Sequence, residues 1–363
     1  MTPFDYRPRT RLVFGVREFA RLGEIARDAG GTRCLFVTSP RIGEGRLGQD
    51  AVRALKARRM EVVSFHDFTA TPAPAMIEAG RAAAAQHNPD LIVAMGPGSA
   101  LDVAKAINIV FTNGGSIEDY RGYGKVAKPL LPMVAVPTVA GAGEEALGNT
   151  TVFDPKTRTN LSCGDPKIFF RTVLLDPVLT LGQARDTEAS GAYEAIAHAV
   201  EALASPRRTP LAECFGHEAW RLLDGNFERA MKSPEDIDAR GALLLGAHFA
   251  GIAVENSSAG PAHACAAPIT ANFGLAHGAA VALVLPAVVE WGDDNGASPA
   301  HPSRLRELRA AGRMAASLQD AGVPEAALPR LAEEAATQWT GRFGSRAFDA
   351  PAAMEIYRAA YAR

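Results

Sequence analysis

Glu194 and His198 stand four residues apart in GAYEAIAHAVE, residues 191–201, a run of small helix-forming residues. On an α-helix this spacing puts both side chains on one face, so a carboxylate and an imidazole can meet at one atom. Spacing alone serves a solvated or mutually capped helix face as readily as a ligand pair. Two further imidazoles, His263 and His277, lie in GPAHACAAPITANFGLAHGAAVALVLP among small apolar residues, where desolvating an imidazole without a partner is costly. A backbone carbonyl could satisfy His263, and a helix end beside Gly278 could satisfy His277. A carboxylate with three imidazoles is also the donor set of a zinc or ferrous site. His66, His87, His217, His248 and His301 lack such company. His87, in AAQHNPD, reads as a helix end, and His248, in LLLGAHFAG, as a satisfied core or interface residue.

A second chemistry is written in glycine. LIVAMGPGSALDVAKAI starts as a buried strand, turns through Gly96, Pro97, Gly98 and Ser99, and continues as a helix with Asp102 and Lys105 one turn apart. Glycine lets a backbone approach a ligand closely, and a helix N-terminus offers unpaired N–H groups to a phosphate. The pattern is neither GxGxxG nor a Walker loop, and a plain strand-to-helix turn explains it about as well. VPTVAGAGEEALGN, residues 136–149, also follows a strand and carries Thr138, Gly141, Gly143 and Asn149. Two such loops favour a nucleotide ligand.

The elements that must position these residues fall into two halves. Up to about residue 180 the runs RLVFG, RCLFVTS, EVVSF, LIVAM and PMVAVPT alternate with alanine-rich helical stretches, which implies crossovers and a mostly parallel sheet. Beyond it the pattern is helical: DTEASGAYEAIAHAVEALA, TPLAECFGHEAWRLLDGNFERAM, DIDARGALLLGAHFAGIAVE, RLRELRAAGRMAASLQDAG and AAMEIYRAAYAR. Pro177 disfavours helix at the residue before it, so the expected division is an α/β nucleotide-binding domain over 1–177 and an all-helical metal domain over 178–363. A cleft between such halves is a default ligand site.

The 363 residues are 47% hydrophobic and 21% charged with a net charge of −2, enough for two domains and giving no electrostatic reason to expect nucleic acid or a membrane. A small molecule is the expected partner. The opening MTPFDYRPRTRLVFG has no apolar stretch long enough for a signal peptide, and no later segment reads as an unbroken apolar span of about 18 to 20 residues, so a cytoplasmic location is expected. Cys34, Cys163, Cys214 and Cys265 are far apart, which suggests neither a zinc knuckle nor a disulfide framework.

Three segments together resemble the iron-containing (group III) alcohol dehydrogenase family. GPGSALDVAKAI is similar to its GGGSxxDxAK loop, with Pro97 in place of a glycine, and VPTVAGAGEE to its PTTAGTGSE segment. The segments around Glu194, His198, His263 and His277 resemble its GxDAxxHAxE and GxxHAxAHPLxA…HG patterns. VLLDPVLT and the ending MEIYRAAY extend the likeness over most of the chain.

The resemblance implies a Rossmann-like N-terminal domain and a helical metal domain, the dehydroquinate synthase-like fold, with the site in the cleft. Gly96, Pro97, Gly98 and Ser99 would cradle a pyrophosphate. Asp102, Thr138, Asn149 and Arg158 would lie along the cofactor, and Leu179 would border the nicotinamide. Glu194, His198, His263 and His277 would hold Fe2+ or Zn2+. The implied reaction is hydride transfer between a nicotinamide and an alcohol or aldehyde whose oxygen sits on the metal, in a homodimer or higher homo-oligomer. Where the family keeps VTD after its second strand, this chain has VTSPR, so Ser39 and Arg41 suit NADP over NAD. Two departures stand out: Glu194 replaces the usual Asp, and Ala267 replaces a histidine assigned to proton relay. Three rival readings share the scaffold: a metal-independent maleylacetate-type reductase, which the full donor set disfavours; a dehydroquinate-synthase-type lyase, which the lack of Lys and Arg in 259–286 disfavours; and a nucleotide binder with degraded activity.

Overall fold

The structure is a computed structural model and describes residues 4, 6–156, 159–292 and 299–362. The chain divides into two compact units, one made of Tyr6–Val139 with Glu144–Thr180, the other of residues from Leu181 onward with Ala140–Gly143.

The first unit carries the strands β1 (Arg11–Phe14), β2 (Arg33–Thr38), β3 (Glu61–Phe65), β4 (Leu91–Gly96), β5 (Gly122–Tyr123), β6 (Met133–Pro137), β7 (Asn149–Asp154), β8 (Thr159–Gly164) and β9 (Thr172–Leu175). Its helices are α1 (Leu22–Asp28), α2 (Pro40–Gly43), α3 (Arg46–Lys56), α4 (Pro74–His87) and α5 (Gly98–Asn113). Six strands form a sheet in the order β1-β9-β6-β4-β2-β3, with every neighbouring pair parallel. The central LIVAMG, MVAVP and TVLL are buried throughout, as continuous apolar runs must be when helices cover both faces. The edge strands β1 and β3 keep exposed residues.

The chain leaves β2 toward β3 and returns to the other side of β2 as β4. In open parallel sheets ligands bind outside the carboxyl ends of strands at such a reversal. The register pairs Thr38 with Met95 and Gly96 with Pro137, which aligns the ends of β2, β4 and β6. Gly96 has φ +148°, and a Cβ there would lie 2.9 Å from the Ala100 Cβ, so the turn into α5 requires glycine.

The remaining strands form a small sheet, β5-β8-β7, with β7 and β8 antiparallel. The sequence reading found neither of these two: NTTVFD alternates buried and half-buried positions and is rich in Asn and Thr, a one-sided pattern without an apolar run.

The second unit consists of α6 (Arg185–Ala204), α7 (Pro210–Lys232), α8 (Ile237–Glu255), α9 (Pro261–Phe273), α10 (His277–Gly292), α11 (Pro302–Ala311), α12 (Leu328–Ala336) and α13 (Ala350–Tyr361). Alanine-rich α6 is buried on nearly every side, and α7, α8 and α10 pack on it. Helix α8 is long and apolar enough to cross a membrane by length and composition, but 61% of its apolar window is buried within the protein. The helix expected over RLRELRAAGRMAASLQDAG ends early, at Ala311, because Arg313 takes a left-handed conformation, φ 57°. Close approach of α10 to α6 depends on Gly278, whose Cβ would fall 2.1 Å from the Ser190 carbonyl oxygen.

Candidate functional site

Within the helical unit three elements converge. Helix α6 presents Glu194 and His198, α9 presents His263 in its first turn, and α10 begins at His277. Ligand atoms of Glu194, His263 and His277 all lie within 4.8 Å of one another. His198 stacks on His263 with ring centroids 4.5 Å apart and 17° between the planes, and the centroids of His263 and His277 are 5.5 Å apart. All four residues singled out by the sequence are thus neighbours, and the longer side chain of Glu194 reaches the imidazoles.

The nitrogen chemistry suits a cation. His198 Nδ1–H donates to the Ala142 carbonyl oxygen at 2.8 Å, and Nδ1 of His263 lies 2.5 Å from Glu201 Oε2. With Nδ1 engaged, Nε2 is the basic atom left to each ring. Burial and then the neighbouring His263 hold both His198 and His277 below the usual imidazole range, His198 well below it. Imidazoles packed this closely stay neutral, the form that binds a metal. A carboxylate with three imidazoles fits Fe2+ or Zn2+.

In the α/β unit the glycine loop runs from the end of β4 into α5, with Gly98 as its first helical residue and Ser99 half-buried beside it. Pro97 is the cap residue and has no N–H to offer. Thr138 follows β6, with its N–H donating to the Gly96 carbonyl at 3.1 Å. Three buried polar atoms, Thr38 Oγ1, Asp102 Oδ1 and Thr138 Oγ1, have no hydrogen-bond partner in the protein. Buried polar atoms without partners are rare, and these fit a polar ligand at the carboxyl ends of β2, β4 and β6. Burial, followed by the charge of Glu144, pushes the Asp102 carboxyl well above the usual range, against the pull of Lys105.

Ser39 is half-buried at the cap of α2, and Arg41 is exposed on that short helix. Asn149 opens β7. Leu179 lies in a 3-10 turn, Pro177–Thr180, and packs into the core cluster that includes Val136 and Leu174. Arg158 lies outside the described residues. Ala267 sits half-buried one turn beyond His263 on α9.

Three important residues received no role from the sequence. Lys105 is fully buried and its ammonium donates to the carbonyls of Glu144 at 2.6 Å, Leu147 at 2.9 Å and Asn149 at 2.8 Å. It ties the second glycine segment to α5, and a lysine inside an apolar helix already implied such acceptors. Asp176 accepts from the backbone N–H groups of Arg17, Phe19 and Val178, each at 3.0 Å. This gives the Asp-Pro after β9 an anchoring role. Glu201 stands three residues after His198, on the same face of α6, and that spacing was its available signal.

Comparison with known proteins agrees with both halves of this picture. The sequence model described as iron-containing alcohol dehydrogenase matches residues 8–177, and that of the C-terminal region of the same family matches 188–308. The chain is 29% identical over 288 residues to the NAD-dependent methanol dehydrogenase of Bacillus methanolicus, covering 79% of this chain and 75% of that one. It is 27% identical over 384 residues to the 1,3-propanediol dehydrogenase of Citrobacter freundii, covering 99% of each. A crystal structure of a 1,3-propanediol oxidoreductase superposes with a TM-score of 0.93 at 25% identity, covering 99% of this chain and 100% of that one. With its parallel sheet, its helical unit and both family matches in chain order, the chain belongs to the iron-containing alcohol dehydrogenase family, nicotinamide-linked oxidoreductases that act on CH–OH groups.

Proposed function

We propose that the protein interconverts a primary alcohol and its aldehyde, holding Fe2+ or Zn2+ with Glu194, His198, His263 and His277 and using NADP in preference to NAD. The observation that carries the metal assignment is the convergence of one carboxylate and two imidazoles within 4.8 Å, with a third imidazole stacked on the cluster. When bound, the divalent ion supplies Lewis-acid polarisation of the substrate oxygen and the nicotinamide carries the hydride.

The residues of the chain bind and orient. The open N–H groups at the start of α5 would hold the pyrophosphate, aided by the helix dipole. Thr138 and Asp102 offer their buried oxygens to the cofactor. Neutral His198 and His277 would offer lone pairs to the cation, and Glu194 would offset part of its charge. Ala267 has no titratable group, so proton transfer would need an acceptor other than the side chain at this position.

Ser39 and the exposed Arg41 favour a 2′-phosphate by removing a like charge and adding a donor. A second reading, NAD, has its own support: the adjoining pocket is lined by Glu44, His66 and Asp67, and its two acidic residues favour a ribose hydroxyl.

The test of the metal assignment is removal and return. Chelation should abolish nicotinamide-linked oxidation of primary alcohols, and added Fe2+ or Zn2+ should restore it. Full activity in protein shown to be metal-free would leave the maleylacetate-type reading instead.

A further inference from the structure

Glu201 joins two of the elements that build the imidazole cluster. From α6 its carboxylate accepts from the N–H of Gly260 at 2.9 Å and of Ala262 at 2.6 Å, and it lies 2.5 Å from Nδ1 of His263. Gly260 is the cap residue of α9, and no side chain of its own segment caps that helix. A carboxylate at a helix N-terminus satisfies open N–H groups and is favoured by the dipole. Glu201 therefore caps α9 from another helix, and the same group engages the imidazole of the residue in its first turn. It is only 4% exposed, beside a pocket lined by Val200, Leu285, Val288 and Trp291, where low polarity strengthens its hydrogen bonds.

We propose that Glu201 is a positioning residue for the metal centre: it fixes the tautomer of His263 with the proton on Nδ1 and holds the ring so that Nε2 faces the cation. The assignment rests on the metal reading given above. Both oxygens of Glu201 already accept backbone N–H groups, so the third contact is completed by a proton on the ring nitrogen. His198 is fixed in the same sense by the Ala142 carbonyl, and the two stacked rings then present basic nitrogens to one ion. A carboxylate behind a ligand histidine orients the ring and raises its basicity, and loss of such a partner weakens metal binding about tenfold to a hundredfold.

The experiment titrates metal-free protein with Zn2+ against a chromophoric chelator in wild type, Glu201→Gln and Thr209→Ala. Thr209 caps α7, so its variant reports what loss of a helix cap does to zinc binding in the same unit. The expected result is a dissociation constant raised tenfold to a hundredfold in Glu201→Gln and unchanged in Thr209→Ala. An unchanged constant in Glu201→Gln, or an equal loss in Thr209→Ala, overturns the positioning role. Failure of wild type to take up one equivalent of Zn2+ removes the metal reading itself, and this proposal with it. Should Glu201→Gln not fold, 15N spectra of histidine-labelled, metal-free wild type decide: the His263 proton is expected on Nδ1, and a proton on Nε2 overturns the proposal.

Discussion

Glu194 Oε1 lies 4.0 Å from His277 Nε2, the carboxylate coming from α6 and the imidazole from the first residue of α10. In a tetrahedral shell with bonds of about 2.1 Å, ligand atoms stand about 3.4 Å apart. Small side-chain motion would close the difference, so the proposed site has room for the extra methylene of Glu194. Glu194→Asp draws the carboxylate back by about 1.5 Å and is expected to weaken Zn2+ binding at least tenfold in a chelator competition. Tighter binding in that variant would mean that the helices are spaced for Asp and that Glu194 is the poorer ligand.

Lys105 holds three carbonyls of the segment 144–149 with one ammonium. Lys105→Met leaves those acceptors without their donor, and hydrogen bonds to a charged group contribute about 1.5–3 kcal/mol each. Allowing for relaxation, the loss is expected to be about 3 kcal/mol or more in urea unfolding. Lys105→Arg should not restore it, because a planar guanidinium cannot converge on three acceptors as an ammonium does. A loss below about 1 kcal/mol in Lys105→Met would show that the clamp contributes little.

Lys105 and Glu201, set beside the imidazoles, show what a sequence can and cannot disclose. The imidazoles stood out because the surrounding run is apolar and a ring nitrogen there needs a partner, and the glycine loop stood out because the strand before it is an unbroken apolar run. Which backbone groups would serve as partners left no trace. Lys105 is satisfied by carbonyls 39 to 44 residues away, and Glu201 by N–H groups 59 and 61 residues away. Any residue type can supply those atoms, so no pattern marks them. Strands β7 and β8 escaped for a related reason, since one half-buried face replaced the apolar run with Asn and Thr.

Ser39 occupies the cap of α2 directly after β2. Ser39→Asp places a carboxylate where the 2′-phosphate of NADP is proposed to lie, and the like charges should lower kcat/KM for NADP relative to NAD at least tenfold, about 1.4 kcal/mol. Steady-state rates with both cofactors measure it. An unchanged ratio would favour the NAD reading supported by Glu44 and Asp67.

Asp102 gives the fold a dependence on pH whose sign can be worked out. Burial, and after it Glu144, raise its folded-state pKa well above the unfolded value, which is about 3.9. Between those two values the folded protein holds a proton that the unfolded chain has released, so stability falls as pH rises through the window and is full below about 3.9. Asp102→Asn keeps the shape and has no charge to desolvate. In cofactor-free protein it should therefore be more stable than wild type at pH 7. The advantage should shrink on acidification and vanish once both carboxyl forms are neutral. Urea unfolding from pH 7 down to about 4 measures the two curves. Parallel curves would mean that Asp102 ionises alike in the folded and unfolded chain, and its buried Oδ1 would then have to be met by water rather than kept for a ligand.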